Sequence, residues 1–341
     1  MQIILVASAH KNEGLGHVLR GLEIKNSLEQ FLPKDCKIDI ILYSNNYKRN
    51  DYEKFFDIKN VTLVSSIDKL NFEIDKIIGI YKIYDYKKNT FLLVDSISIR
   101  DEDILLNFDH KISLSPIGKF NSNSDVVIAR KIIDKSEYGS NFEGFKYAVF
   151  NSKYIDNNKY VFQNFQKKKE IVLSLSFGGN DVNNFGLNLA KNLLELDGFN
   201  NVKIKINHYV GLTSRINFTN ESELLGKSNY KIYKSNNNFW KEYINGDLAI
   251  LANGLTQLEA MYANMPHVCI LNSQRNLNLA PVNLISSEFI IYDNHTDKIK
   301  DLLMKVMLNP EILNDFTRKL KENQIDNGSI NVAKKILENF Y

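Results

Sequence analysis

Strand-length aliphatic runs recur along the chain, each followed by room for a helix, and this rhythm confines the fold more tightly than any other feature. Ile3–Ala7 is a compact run of β-branched and aliphatic residues, the composition of a buried parallel strand. An amphipathic segment from His17 to Phe31 follows, with Leu19, Leu22, Ile24 and Leu28 near helical spacing. Further strands are expected at Ile38–Tyr43, Val61–Val64, Phe91–Val94, Lys111–Leu114 and Val126–Ala129. Such alternation implies a doubly wound parallel sheet.

The rhythm lapses over 153–169, a polar stretch rich in Asn, Lys and Tyr, and then restarts. Strands are expected at Ile171–Leu175, Val202–Tyr209, Tyr230–Tyr233, Leu248–Leu251, His267–Leu271 and Phe289–Tyr292. Helices are expected at Phe185–Leu196, near Trp240, at Thr256–Ala263 and from Lys298 onward. A chain of 341 residues is long enough for two domains. The expected architecture is α/β, with two facing Rossmann-like domains and an interdomain cleft. Its parts are an N-terminal domain at 1–152, a linker at 153–169 and a C-terminal domain at 170–341.

Composition narrows the function classes. The 43 basic and 40 acidic residues nearly cancel to +3, too weak a bias for a nucleic-acid partner. Cys36 and Cys269 are far apart and outside any Cys/His cluster, which argues against disulfide scaffolds and zinc sites. The apolar start is short for a signal peptide and lacks a basic flank, and no run approaches the roughly 20 apolar residues of a transmembrane helix. A cytoplasmic protein is expected, with no metal and no cofactor.

In open α/β sheets, ligands gather at the carboxyl ends of strands, where glycine turns lead into helix N-termini. Three such junctions stand out. In Gly14-Leu15-Gly16-His17-Val18-Leu19-Arg20, backbone amides can hold an anion and His17 sits at the helix mouth. An imidazole there suits proton removal from water or a hydroxyl; a capping loop with a chance histidine reads equally. The motif falls short of a dinucleotide fingerprint, since position 19 is leucine. Next, Gly178-Gly179-Asn180-Asp181 is either a phosphate or domain-closing contact, or a tight turn. Last, Gly254-Leu255-Thr256 would offer amides and a hydroxyl to a diphosphate, with Glu259 one turn on for ribose hydroxyls. Thr256 and Glu259 also read as a capping box. The run Asp101-Glu102-Asp103 reads as a favourably charged helix start, and His208 and His267 as packed histidines.

Taken in order, these motifs resemble the UDP-sugar hydrolase of the pseudaminic acid pathway and its spore-coat polysaccharide relatives. That family shares the GT-B fold with the N-acetylglucosaminyltransferase of lipid II synthesis. The similarity extends to Leu92-Leu93-Val94-Asp95, to Gly144-Phe145-Lys146-Tyr147-Ala148 and to Asp326-Asn327-Gly328. Ser96-Ile97 stand where the hydrolase carries a His-Tyr pair, and Ala7-Ser8-Ala9-His10 where it carries Arg-x-Asp.

The resemblance implies a nucleotide-sugar hydrolase of bacterial surface-glycan biosynthesis, acting on a UDP-sugar. His17 and Asp95 would be catalytic. Gly14, Gly16, Arg20, Ser96, Gly178, Gly179, Asn180, Asp181, Gly254, Leu255, Thr256, Glu259 and Gln274 would contact substrate. The alternative is a GT-B glycosyltransferase, with His17 deprotonating an acceptor hydroxyl and Ser96 leaving room for that acceptor.

Overall fold

A computed structural model describes residues 1–9, 15–44, 61–81, 83, 85–153, 155, 160, 169–178, 181, 184–211, 224, 226–234, 242–271, 278–281, 284–292 and 295–339. The chain divides into two compact units, one of Met1–Asn151 with Asp326–Tyr341 and one of Ser152–Ile325.

The first unit runs β1 (Gln2–Ser8), α1 (Gly16–Leu28), β2 (Lys37–Tyr43), β3 (Val61–Val64), α2 (Ile67–Ile80), α3 (Tyr86–Asn89), β4 (Thr90–Asp95), β5 (His110–Ser113), β6 (Val126–Ala129) and β7 (Ser140–Glu143). The second runs β8 (Glu170–Ser176), α4 (Phe185–Leu194), β9 (Lys203–Val210), β10 (Tyr230–Lys234), β11 (Leu248–Ala252), α5 (Leu255–Tyr262), β12 (His267–Leu271), β13 (Ile290–Tyr292), α6 (Thr296–Leu308) and α7 (Glu311–Glu322). The last helix, α8 (Ser329–Glu338), returns to the first unit.

Among the described residues all pairings are parallel, in a seven-stranded sheet of order β3-β2-β1-β4-β5-β6-β7 and a six-stranded sheet of order β10-β9-β8-β11-β12-β13. Each unit is therefore Rossmann-like. Strand order reverses between β1 and β4 in the first sheet and between β8 and β11 in the second, and such switch points open a crevice at the strands' carboxyl ends.

Alternate residues of β1 serve opposite faces, as strand geometry requires. Ile3, Leu5 and Ala7 join a core that includes Val18, Ile24 and Leu28 of α1, while Ile4 and Val6 join Leu70, Ile74 and Ile77 of α2. The first of these cores also takes in Val332, Ala333 and Ile336 of α8. This corrects the expectation that the C-terminal domain extends through 341. An amphipathic pattern shows that a helix buries a face, and here the surface it covers belongs to the first sheet's helix layer.

A tight seam holds that return. Gly328 N–H donates to Ala148 O at 2.7 Å, Asn327 Nδ2 to Phe150 O at 2.7 Å and Asn331 Nδ2 to Lys146 O at 2.9 Å. A Cβ on Gly328 would lie 2.5 Å from Lys146 O and 2.7 Å from Ala148 N, both backbone atoms. Gly328→Ala is therefore expected to destabilise the protein by about 1–3 kcal/mol through overpacking. Gly79→Ala, whose Cβ would meet nothing within 4 Å, should cause no loss. Urea unfolding midpoints of the two variants check the contrast.

Among the described residues, no helix is long and apolar enough to cross a membrane. Asp101–Asp103 forms a short 3-10 turn whose charges are locally met. Asp101 pairs with Lys111 at 3.0 Å, Glu102 with Arg100 at 2.9 Å, and Asp103 accepts from Arg100 N–H at 2.8 Å.

Candidate active site

Three side chains converge at the switch point of the first sheet. Ala7 of β1 and Asp95 of β4 lie side by side in register, so the last residue of β4 sits next to the end of β1. α1 starts at Gly16 without a side-chain cap. It places His17 and Arg20 three residues apart on one face, both directed at Asp95.

His17 Nδ1 lies 2.6 Å from Asp95 Oδ1. Arg20 Nε donates to Asp95 Oδ2 at 2.6 Å, and its NH2 reaches Oδ1 as well. Arg20 NH2 also lies 2.9 Å from His17 Nδ1. Nδ1 cannot serve both neighbours, since guanidinium has no acceptor and an ionised carboxylate has no donor; a hydrogen on Nδ1 suits the short contact to Asp95. Nδ1 carries the hydrogen and gives it to Asp95, and the approach of Arg20 to the ring is a close contact incidental to its carboxylate pair. With the hydrogen on Nδ1, Nε2 is the nitrogen left to take a proton.

Asp95 is 0% exposed, and burial pushes its pKa up. The charges and hydrogen bonds of Arg20 and His17 outweigh that, so the carboxyl sits below its ordinary value and stays ionised. A buried anion of this kind fixes the imidazole's tautomer and stabilises the imidazolium formed when the ring takes a proton. His17 is itself 6% exposed, with little freedom to turn away.

Arg20 and Ser96, both expected at the substrate, make contacts within the protein. Arg20 directs its Nε and NH2 to Asp95 and so holds that carboxylate in place. Ser96 is 0% exposed, and its hydroxyl accepts from Ser98 N–H and Ile99 N–H, each at 3.1 Å. It shapes the turn after β4. A polar floor beside it escaped sequence reasoning. Asn121 accepts from Ser113 Oγ and donates to Ser115 O at 3.1 Å and Asp134 O at 2.7 Å, tying down the loop after β5. The only hint was the serine-rich Ser113-Leu114-Ser115-Pro116 following a strand.

In the second unit the switch point lies between β8 and β11, where Ser176 and Leu251 are in register. Gly178 follows β8 with φ +76°, a conformation that favours glycine. Gly14, Gly179, Asn180 and Gln274 lie outside the described residues, as does Trp240. Asp181 caps α4, its carboxylate accepting from Phe185 N–H at 3.0 Å and Gly186 N–H at 2.9 Å. The start of α4 thus already carries the protein's own anion. Burial pushes the Asp181 pKa up to about 6, although the two amide bonds work against it.

α5 differs. Gly254 is its N-cap in extended backbone, with no side-chain cap, so the capping box of Thr256 and Glu259 is not formed. A Cβ on Gly254 would meet nothing within 4 Å, and Gly254, Leu255 and Thr256 are partly exposed. Glu259 is 1% exposed, and its charge adds to burial in raising the Tyr243 pKa. Gln257, overlooked in the sequence, is 0% exposed in the first turn of the same helix.

No protein-family model matches the chain. An uncharacterized protein of Methanocaldococcus jannaschii is 22% identical over 325 residues, covering 87% of this chain and 63% of that protein. The chain therefore spans less than two thirds of that relative's length. Among solved structures, MurG of Acinetobacter baumannii superposes with a TM-score of 0.61 at 12% identity over 99% of each chain. A glycosyltransferase from Rickettsia africae gives 0.62 at 13% identity over 99% of each chain. The fold is GT-B-like. UDP-GlcNAc 2-epimerase of Neisseria meningitidis, solved with UDP-GlcNAc, gives 0.58 at 12% identity over 99% of each chain.

Proposed function

We propose that the chain is a GT-B glycosyltransferase that moves a sugar from a nucleotide donor to a hydroxyl acceptor. The observation that carries this is the His17–Asp95 pair at the switch point of the first sheet, held by Arg20. In the proposed step, Nε2 of His17 takes the acceptor's hydroxyl proton as the acceptor oxygen bonds to the sugar's anomeric carbon. The bond from that carbon to the phosphate oxygen breaks, and a nucleoside diphosphate leaves. The uncapped start of α5, with Gly254, Leu255 and Thr256, would hold the diphosphate through backbone amides and the helix dipole. Glu259 is assigned the ribose hydroxyls. Similarity in fold to the Rickettsia glycosyltransferase supports transfer, and the Neisseria epimerase supports a UDP-linked sugar as donor.

Hydrolysis is the second reading, favoured by the Gly16-His17 and Leu92–Asp95 motifs: the same base can activate water. Product analysis after incubation with UDP-sugars, with and without hydroxyl acceptors, separates the two. A transferase releases UDP in proportion to glycosylated acceptor, whereas a hydrolase releases it alone. No UDP release under any condition would sink both. The donor site has its own check. Gly254→Ala adds a Cβ that would meet nothing within 4 Å, so it should fold normally while weakening UDP binding at least about tenfold in calorimetry.

A further inference from the structure

Gln257 carries an unusual burden for an internal polar residue. It occupies the third position of α5, and its side chain is 0% exposed, yet neither Nε2 nor Oε1 has a hydrogen-bond partner. A buried amide left this way costs stability, because water's hydrogen bonds are lost and nothing replaces them. Helical side chains lean back toward the N-terminus of their helix, which directs this amide toward the uncapped mouth at Gly254. Two independent observations therefore meet at one place, a helix start without a side-chain cap and an unsatisfied buried amide beneath it.

We propose that Gln257 is a binding residue of this mouth and that its ligand is a ribosylated diphosphate. The proposal rests on the donor-site reading above and adds a residue and a chemical selection to it. An amide has both a donor and an acceptor. A phosphate oxygen satisfies Nε2 only. A ligand that brings hydroxyl donors along with phosphate acceptors satisfies both atoms. The free protein thus holds a cost that the right ligand relieves, and inorganic pyrophosphate relieves only half of it.

The test compares wild type and Gln257→Leu by thermal unfolding without ligand and by titration with UDP and with pyrophosphate. Leucine removes the unsatisfied amide at similar size, so the free variant should melt about 2–4 °C higher. UDP affinity should fall at least about tenfold, and pyrophosphate affinity by less. Gln257→Glu, which keeps the shape and removes the donor, should weaken both ligands. A lower melting temperature for the leucine variant would overturn the proposal, since the amide would then have a structural partner. Unchanged UDP affinity in either variant would overturn it, as would equal losses for UDP and pyrophosphate. If wild type itself binds neither ligand, the donor-site reading has failed; if only the variants behave like wild type, the assignment of Gln257 alone has failed.

Discussion

His17→Asn is expected to slow turnover of a UDP-sugar by about 10²–10⁴-fold, the usual contribution of a positioned general base. UDP affinity should be unchanged, because the amides assigned to the diphosphate belong to the second unit. Asparagine can still donate to Asp95, so the buried carboxylate keeps a partner and the fold should persist. Asp95→Asn is a harsher change. It removes the anion that fixes the Nδ1 hydrogen, and it strands the Arg20 guanidinium without its counter-charge. Breaking a buried pair by removing one partner costs about 3–5 kcal/mol. Loss of activity in that variant should therefore come with a large drop in the urea midpoint. The His17 variant should show the activity loss alone. Wild-type rates in His17→Asn would remove the imidazole from the mechanism.

Much of this arrangement was readable from residue types. Strands such as Val61–Val64, Val126–Ala129 and His267–Leu271 form at the expected positions, because aliphatic runs in a doubly wound sheet are buried on both faces. β7 was missed for the complementary reason. Ser140-Asn141-Phe142-Glu143 is an edge strand with one partner and mostly exposed side chains, so no hydrophobic signal marks it. Backbone pairing defines it, with Phe142 as its one side chain packed on the core. His208 and His267 are packed histidines as read, at 1% and 0% exposure.

The candidate site was legible as a set of residues but not as a set of contacts. Motif order pointed to His17 and Asp95 together, and the structure brings them within 2.6 Å. The destination of Arg20 was open, although its three-residue spacing from His17 already placed both on one helix face. Ser96 and Asp181 were expected at the substrate because the family resemblance implies it. Both side chains instead satisfy backbone amides at a turn or helix start, a local use for which these residue types are equally suited. Gln257 gave no signal, since a glutamine in a helix ordinarily reads as surface. Only its burial sets it apart.

The second unit should lose stability as pH falls from about 6.5 to 4, and buried histidines are the cause. Burial lowers the pKa of His208 to about 4 and that of His267 to about 4. Between those values and the ordinary 6.5, each histidine is neutral when folded and protonated when unfolded. Unfolding therefore takes up protons, and stability rises with pH across this window. At full extent each contributes about 3 kcal/mol by linkage, taking about 1.4 kcal/mol per pKa unit. Asp181 works in the opposite direction. Its folded pKa of about 6 lies above the ordinary 3.8, so the folded state holds its proton longer and gains stability as pH falls through the same range. At pH 5 the histidines take up about two protons on unfolding and Asp181 releases about one, leaving a net uptake of about one. Asp95 of the first unit acts lower: because its folded pKa is depressed, its contribution is lost as pH falls from the usual carboxylate range down through the folded value. His208→Phe removes one titrating group, while forfeiting the bond to Tyr230 OH at 2.9 Å. Urea unfolding from pH 7 to 4 should show the variant less stable at neutral pH, with about one proton less taken up near pH 5. An identical pH slope in wild type and variant would mean that His208 titrates freely in the folded protein.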